Sequence, residues 1–194
     1  MSRRSIAFAI ALLASGPPGV FALDPHREPS QYVVTTWGSR NLPGSSVHAL
    51  FQTSDEYLWI GTTSGLVRFD GARFVAFDAR RSPGFVDGGA SSLAQGPDGT
   101  LYVGSTSGSV MQYRHGTFTK MATPSGAGLV SALCLASDGS LWGGVHGVSM
   151  YRWNNGRVDL KVRAENVKSP LAIVEGPKGV IWIGTGEGLS LIHI

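Results

Sequence analysis

The sequence predicts an all-β protein, a β-propeller of four-stranded antiparallel blades with about four blade units, the last of them incomplete. Three observations lead to this prediction: a pattern repeated about every forty residues, turn signals between short apolar runs, and the composition of a folded chain. Of the 194 residues, 42% are hydrophobic and only 15% are charged, which is typical of a globular domain. The 27 glycines and 10 prolines follow no collagen-like period and therefore indicate tight turns.

The first 22 residues have the order of a secretory signal peptide. Arg3 and Arg4 are basic, Ile6–Ala14 is an apolar run too short to span a bilayer, and Val20–Ala22 allows cleavage after Ala22. We therefore expect a periplasmic or otherwise exported protein. Without Arg3 and Arg4 the chain has 14 basic and 13 acidic residues, a net charge of +1, and no basic cluster, so no nucleic-acid partner is expected.

Residues 23–46 form a lead-in segment, in which we expect an N-terminal strand at Gln31–Trp37. The blades follow at 47–194. Four similar units carry an anchor aromatic in their second strand, and the steps between these aromatics are 43, 40 and 40 residues. The anchors are Trp59, Tyr102, Trp142 and Trp182, and the units span 47–78, 90–121, 130–162 and, in part, 170–194.

Each unit divides into short strands separated by glycine turns. In the first unit we expect strands near 47–52, 57–61, 66–69 and 74–78, and the same pattern in the units that follow. A four-stranded sheet with two apolar faces cannot bury both faces alone, whereas sheets stacked around an axis bury both. The anchor aromatics are therefore expected to pack between neighbouring blades.

Cys134 is the only cysteine, so no disulfide can form within the chain. It lies in the apolar run Val130–Ala136, where we expect a buried and unreactive thiol.

The repeat resembles the two-component regulator propeller repeat. The resemblance rests on the run L-W-I-G-T-x-x-G-L-x-R-F-D-G-x-x-F at Leu58–Phe74, which returns in part at Leu141–Gly144 and Ile181–Leu189. It implies the periplasmic sensor region of a hybrid histidine kinase or a diguanylate cyclase, which precedes a transmembrane helix and the cytoplasmic output domain. Two departures, Tyr102 for the anchor Trp and Gly143 for an aliphatic residue, are expected to weaken the repeat, the second of them in blade three.

Unit four stops in its third strand, so we interpret the chain as an N-terminal fragment whose terminal four residues need not belong to the repeat. Membrane attachment, an output domain and a possible homodimer would then depend on a missing downstream region. The alternative is a complete four-bladed ring, in which Gln31–Trp37 supplies the missing outer strand of blade four. An open fragment is expected to be only marginally stable, since each end blade exposes an apolar face.

No catalytic, cofactor-binding or metal-binding residues are predicted. The histidines have no metal-ligand spacing, and the glycine-rich Gly184–Gly188 joins two strands and opens no helix, so it does not predict a phosphate site. The five histidines are His26, His48, His115, His146 and His193.

Ligand contact is expected on the side of the propeller where the second-to-third-strand turns meet the loops between blades, because binding residues concentrate in loops on rigid scaffolds. The variable loops are 40–46, 82–89, 124–128 and 166–169. The candidate ligand-binding residues, all in the turns, are Ser64, Ser107, His146 and Glu187.

The leading hypothesis is a non-catalytic sensor module that binds an extracytoplasmic small molecule, a glycan or a partner protein. One alternative is a propeller enzyme similar to the streptogramin lyases. Only His146 and Glu187, which lie on neighbouring blades, could be its catalytic residues. The other alternative is a protein-interaction scaffold.

Overall fold

The structure is a computed structural model that describes residues 28–31, 33–38, 40–44, 46–86, 88–123, 128–147, 149–163, 167 and 169–192. The predicted signal peptide, residues 1–22, lies outside the described residues, as do His26 and His193. The chain divides into two compact units, Met1–Thr36 and Trp37–Ile194.

The described residues of the second unit form four antiparallel sheets, which we call blades one to four. Within each sheet the strands lie in sequence order. This confirms the predicted all-β propeller fold class. Blade one contains β1 (Val47–Gln52), β2 (Leu58–Thr62), β3 (Gly65–Phe69) and β4 (Phe74–Phe77); blade two contains β5 (Ala90–Gln95), β6 (Leu101–Ser105), β7 (Val110–Arg114) and β8 (Thr117–Lys120); blade three contains β9 (Val130–Leu135), β10 (Leu141–Val145), β11 (Ser149–Asn154) and β12 (Arg157–Arg163); blade four contains β13 (Pro170–Glu175), β14 (Ile181–Thr185) and β15 (Gly188–Ile192).

In the described part of the lead-in segment, the strand expected at Gln31–Trp37 is not seen. A 3-10 turn lies at Pro29–Gln31, and residues 33–38 form no strand. Val33 and Val34 are both exposed, so neither side chain supplies the buried face that holds a strand against a neighbour. No helix among the described residues is long and apolar enough to cross a membrane.

All four sheets have the same register at their first strand. A β-bulge follows the first residue of β1, β5, β9 and β13, after which the pairing resumes opposite a glycine of the second strand. The resumed pairs are Ala49 with Gly61, Ser92 with Gly104, Ala132 with Gly144, and Ala172 with Gly184. Because the register is shared, residues at matching positions can be compared between blades.

Each sheet has a forward face, turned towards the next blade in chain order, and a rear face on its other side. Three buried clusters fill the three junctions between blades, and each combines a forward face with a rear face. At the junction of blades one and two, Trp59 lies 5.2 Å from Tyr113, ring centre to ring centre. At the junction of blades three and four, Trp142 packs with Ile181 and Ile183. Trp59 and Trp142 are therefore core residues, as expected, whereas the third anchor tryptophan, Trp182, is 37% exposed.

The glycine after the anchor aromatic allows the blades to approach closely. A Cβ atom at Gly61 would lie 2.6 Å from the carbonyl oxygen of Ala90, and one at Gly104 would lie 2.6 Å from Val130. A Cβ atom at Gly144 would likewise lie 2.6 Å from the ring of Pro170. At each junction the first residue of the next blade occupies the space that a side chain would need.

Blade three compensates for its missing aliphatic side chain. A Cβ atom at Gly143 would lie 2.7 Å from the indole of Trp153, so this ring fills the space. The Trp153 indole N–H also donates to the carbonyl of Ala122 at 2.6 Å. The departure at Gly143 therefore leaves no gap in blade three, contrary to the weakening expected there.

Cys134 is half-buried, and burial raises the pKa of its thiol, so the protonated form is favoured.

Candidate ligand-binding site on the turn face

The turns that join the second and third strands lie on the same side of the sheets as the loops that enter the first strands, since antiparallel strands alternate in direction. We call this side the turn face. A repeated backbone hydrogen bond fixes turn to loop in three blades: Thr63 N–H donates to Ser46, Thr106 N–H to Gly89, and His146 N–H to Leu129, at 2.9–3.2 Å. The turn face is thus a set of anchored loops.

A cleft of about 490 Å³ opens on the turn face beside blades one and two. The β2–β3 turn, the loop after β4 and the loops entering β1 and β5 contribute to its wall. The lining residues are Pro43, Thr63, Ser64, Asp78, Ala79, Arg80 and Gly88. Its size falls within the range of small-molecule pockets.

Two glycines with positive φ let the entering loops lie directly on the turns. Gly44 has φ +82°, and a Cβ there would collide with the Thr63 hydroxyl and lie 2.9 Å from the Ser64 hydroxyl. Gly88 has φ +98°, and a Cβ there would lie 2.7 Å from the Thr106 hydroxyl. A larger residue at either position would be strained and would move the cleft wall.

Asp78 organises the charged wall of the cleft. Its Oδ1 accepts the backbone N–H groups of Arg80 and Arg81, both at 2.9 Å, and its Oδ2 lies 3.7 Å from the Arg81 Nε. These bonds fix the loop that carries Arg80, whose side chain is exposed at the cleft. The cleft therefore combines a guanidinium with the hydroxyls of Thr63 and Ser64.

The predicted site residues are distributed over the turn face. Ser64 lines the cleft, and Ser107 lies just outside it, where a Cβ at Gly88 would be 3.6 Å from its Cβ. His146 and Glu187 are exposed in the β10–β11 and β14–β15 turns and do not line the cleft. Asp78 and Arg80 were missed, because the charged run after β4 has no counterpart in the other units.

On the side opposite the turn face, the aspartates Asp98 and Asp138 accept hydrogen bonds from residues of their own turns. Hydrogen bonds from Thr100 hold the pKa of Asp98 below its usual value, and those from Ser140 do the same for Asp138. The Asp138 Oδ1 accepts the Ser140 N–H at 2.8 Å and its hydroxyl at 2.6 Å. Within the described part of the chain, no group of three or more His, Cys, Asp or Glu residues could hold a metal ion.

Comparison with known proteins confirms the resemblance found in the sequence. The family model described as "Two component regulator propeller" matches residues 41–64, from the loop entering β1 to the β2–β3 turn. The match includes the anchor Trp59 and the cleft residues Pro43, Thr63 and Ser64. No curated protein matches the chain.

Similar solved structures come from proteins of several kinds. The extracellular domain assigned to the hybrid two component system BT4673 of B. thetaiotaomicron is 20% identical, with a TM-score of 0.68, over 81% of this chain and 23% of that one. The corresponding domain of BT3049 is 20% identical, with a TM-score of 0.64, over 75% of this chain and 21% of that one. Virginiamycin B lyase from Staphylococcus aureus is 17% identical, with a TM-score of 0.61, over 79% of this chain and 57% of that one.

These structural similarities establish the fold. The chain spans less than a quarter of the length of the two extracellular domains.

Proposed function

Because this chain carries the two component regulator propeller repeat, we propose that it is an extracytoplasmic sensor module that binds a ligand in the turn-face cleft and does not transform it. The observation that carries the proposal is the cleft itself, about 490 Å³ and walled by anchored loops next to the region that the family model matches. We also propose that the chain is exported, is attached to a membrane and takes part in signal transduction.

The chemistry of the wall favours a ligand with acceptor groups. The Arg80 guanidinium has only donors, and the hydroxyls of Thr63 and Ser64 can donate or accept. The Asp78 carboxylate already accepts two backbone N–H groups. Of the two charged groups at the cleft, the Arg80 guanidinium is therefore the one that is more available to a ligand. A small carboxylate or a hydroxyl-rich compound such as a glycan fragment fits this set.

The proposal is tested with a thermal-shift screen of the mature chain, residues 23–194, against small organic acids and sugars. A compound at one hundred times its Kd stabilises the folded state by about 2.7 kcal/mol, which is readily measured. Hits are then repeated on Ser64→Trp, which adds a bulky indole at the wall of the cleft. The matched control is Ser107→Trp, a change at the equivalent turn position of blade two, outside the cleft.

The proposal predicts hits that stabilise the natural chain and Ser107→Trp but not Ser64→Trp. Hits that stabilise all three proteins equally would place binding elsewhere and contradict it. The enzyme alternative, which depends on His146 and Glu187, gains support only if a hit is consumed and if consumption stops in His146→Ala or Glu187→Ala.

A further inference from the structure

The fourth strand of blade one differs in composition from the fourth strands of blades two and three. A fourth strand lies at the edge of its sheet and can pair with a strand of another chain, so proteins usually protect such an edge with charged residues. In blade two β8 carries Lys120, and in blade three β12 carries Arg157 and Asp159. In blade one β4, at Phe74–Phe77, has no polar side chain, and Val75 is 41% exposed.

The register shows which backbone groups of β4 face the open edge. The Asp70 N–H donates to the Arg73 carbonyl at 3.3 Å, so these two residues form a hydrogen-bonded pair next to β4. Hydrogen-bonded and non-hydrogen-bonded pairs alternate along two antiparallel strands. Val75 therefore turns its N–H and C=O towards β3, whereas Phe74 and Ala76 turn theirs outwards.

In blade two a loop of the chain covers the equivalent edge. Phe118 of β8 takes the position that Phe74 has in β4, because each pairs with the aromatic residue of the third strand. A Cβ atom at Gly84 would collide with the carbonyl oxygen of Phe118, and the Phe85 ring lies 5.0 Å from the Phe118 ring, centre to centre. The loop after β4 thus lies directly on the edge of β8.

The lead-in segment does not cover β4 in the same way. The Trp37 ring lies 6.0 Å from the Phe74 ring, but a Cβ atom at Gly38 would have nothing within 4 Å. Among the residues that the structure describes, no hydrogen bond reaches the outward backbone groups of Phe74 and Ala76. The edge of blade one is therefore open to another strand.

Two turns of the same kind lie at the ends of β4. The Asp70 Oδ1 accepts the backbone N–H groups of Ala72 and Arg73 at 2.8 and 2.6 Å, and Asp78 binds the two arginines after β4 in the same way. The bonds from Arg73 and Ala72 hold the pKa of the Asp70 carboxyl below its usual value. Both carboxylates are thus engaged within their own turns.

The arginines of these turns place a positive charge at each end of β4. Arg73 is exposed, and no ion pair to it is found in the described part of the chain. The Arg81 side chain is 73% exposed, and its Nε lies 3.7 Å from the Asp78 carboxylate, a contact that water screens. A strand rises about 3.3 Å per residue, so β4 separates the two turns by roughly 15 Å.

We propose that the open edge of β4 binds an extended peptide segment of a partner protein, with β-branched residues at its centre and carboxylates at both ends. The segment pairs with the backbone groups of Phe74 and Ala76 as a fifth strand, and its carboxylates lie against Arg73 and Arg81. In strand addition of this kind the main chain gives affinity and the side chains give specificity. The inference does not depend on ligand binding in the turn-face cleft.

A second copy of this chain is the less suitable occupant. Its own β4 has an arginine at each end, and its Asp70 and Asp78 carboxylates already accept backbone N–H groups. A second copy therefore brings repelling charges to the edge and no uncommitted carboxylate of these turns.

The test uses a fluorescein-labelled peptide, Glu-Glu-Val-Thr-Val-Thr-Glu-Glu, whose binding to the natural chain is followed by fluorescence anisotropy. Two further versions carry backbone N-methyl groups, one at both valines and the other at both threonines. Alternate residues of a strand direct their N–H groups to the same side, so only one version loses the donors that face β4. The proposal predicts that the parent peptide and one methylated version bind and that the other does not. Equal binding of the two methylated versions, or no binding of the parent, would overturn it.

Ala76→Pro tests the edge from the side of the protein. It removes an N–H that faces outwards and leaves the hydrogen bonds between β3 and β4 in place, which is where an edge strand tolerates proline. It should weaken peptide binding about tenfold or more, because a backbone hydrogen bond is lost and the ring obstructs the pairing edge. The matched control is Lys120→Pro, at the equivalent position of β8, which should bind the peptide as the natural chain does. Unchanged binding by Ala76→Pro would contradict the proposal.

Arg73→Glu tests the charge at the start of β4. It should weaken binding of the glutamate peptide about fivefold or more, and it should strengthen binding of a peptide with lysines in place of the glutamates. The matched control is Arg157→Glu, since Arg157 precedes Val158 in blade three as Arg73 precedes Phe74, and it should change neither affinity. Equal affinities of Arg73→Glu and the natural chain would overturn the proposal. A dimer of the natural chain that dissociates in Ala76→Pro would also overturn it, because a second copy would then occupy the edge.

Discussion

Truncation of two leucines at the same repeat position should have very different effects on stability. Leu66 of blade one is 0% exposed, and Leu189 of blade four is 70% exposed. Leu66→Ala removes side-chain atoms from a closed core and should cost about 2–5 kcal/mol. Full burial of a leucine is worth about 1.5–3 kcal/mol, so the 30% of Leu189 that is buried accounts for roughly 0.5–1 kcal/mol.

The assay is urea unfolding of the two variants and the natural chain. With a slope of about 2 kcal/mol per molar, Leu66→Ala should lower the midpoint by roughly 1–2.5 M, and Leu189→Ala by roughly 0.2–0.5 M. Both changes replace leucine by alanine in the third strand of a blade, so the change in intrinsic strand preference is matched between them. Equal midpoint shifts would refute the inference that one position is packed between blades and the other is open.

Three further changes test other parts of the molecule. Ser140→Ala removes the acceptor of the buried Trp142 indole N–H, now at 3.1 Å, and the hydroxyl donor to Asp138. It should cost about 1–3 kcal/mol in urea unfolding, and less in a Trp142→Phe background, where only the hydrogen bond to Asp138 is lost. Hydrogen bonds from Ser140 lower the pKa of the Asp138 carboxyl in the folded state. The contribution of this carboxylate to the free energy of unfolding is therefore present above its unfolded pKa of about 3.9 and is lost as the pH falls through the folded pKa. Asp138→Asn should flatten this acid dependence of the melting temperature between pH 6 and pH 2. Mass spectrometry of the exported protein should find Leu23 as its first residue, and an intact Met1 or Ser2 would count against cleavage after Ala22.

The repeat made the fold predictable from the sequence. The anchor aromatic and the glycine two residues later recur with a nearly constant step, and strand alternation places both on the same face of the sheet. Burial of Trp59 and Trp142 at the junctions follows from this placement. The same pattern could not distinguish Trp182, because the exposure of an anchor depends on whether another blade covers it.

The cleft was harder to predict because its chemistry lies outside the repeat. Ser64 was found from its turn position, but Asp78 and Arg80 belong to a loop that the other units do not share. The contacts that position Arg80 are backbone N–H groups on a carboxylate, and no spacing rule in the sequence indicates them. His146 and Glu187 occupy equivalent turns farther along the chain, and their roles remain predictions.

The most direct test of the functional account asks whether a cleft ligand is bound or transformed. A compound selected in the thermal-shift screen is incubated for a day with the natural chain, Ser64→Trp or Ser107→Trp, and its NMR spectrum is followed. The account predicts that the compound's resonances broaden with the natural chain and Ser107→Trp, stay sharp with Ser64→Trp, and keep their total intensity throughout. Steady conversion of the compound to a product, abolished by His146→Ala or Glu187→Ala, would contradict it.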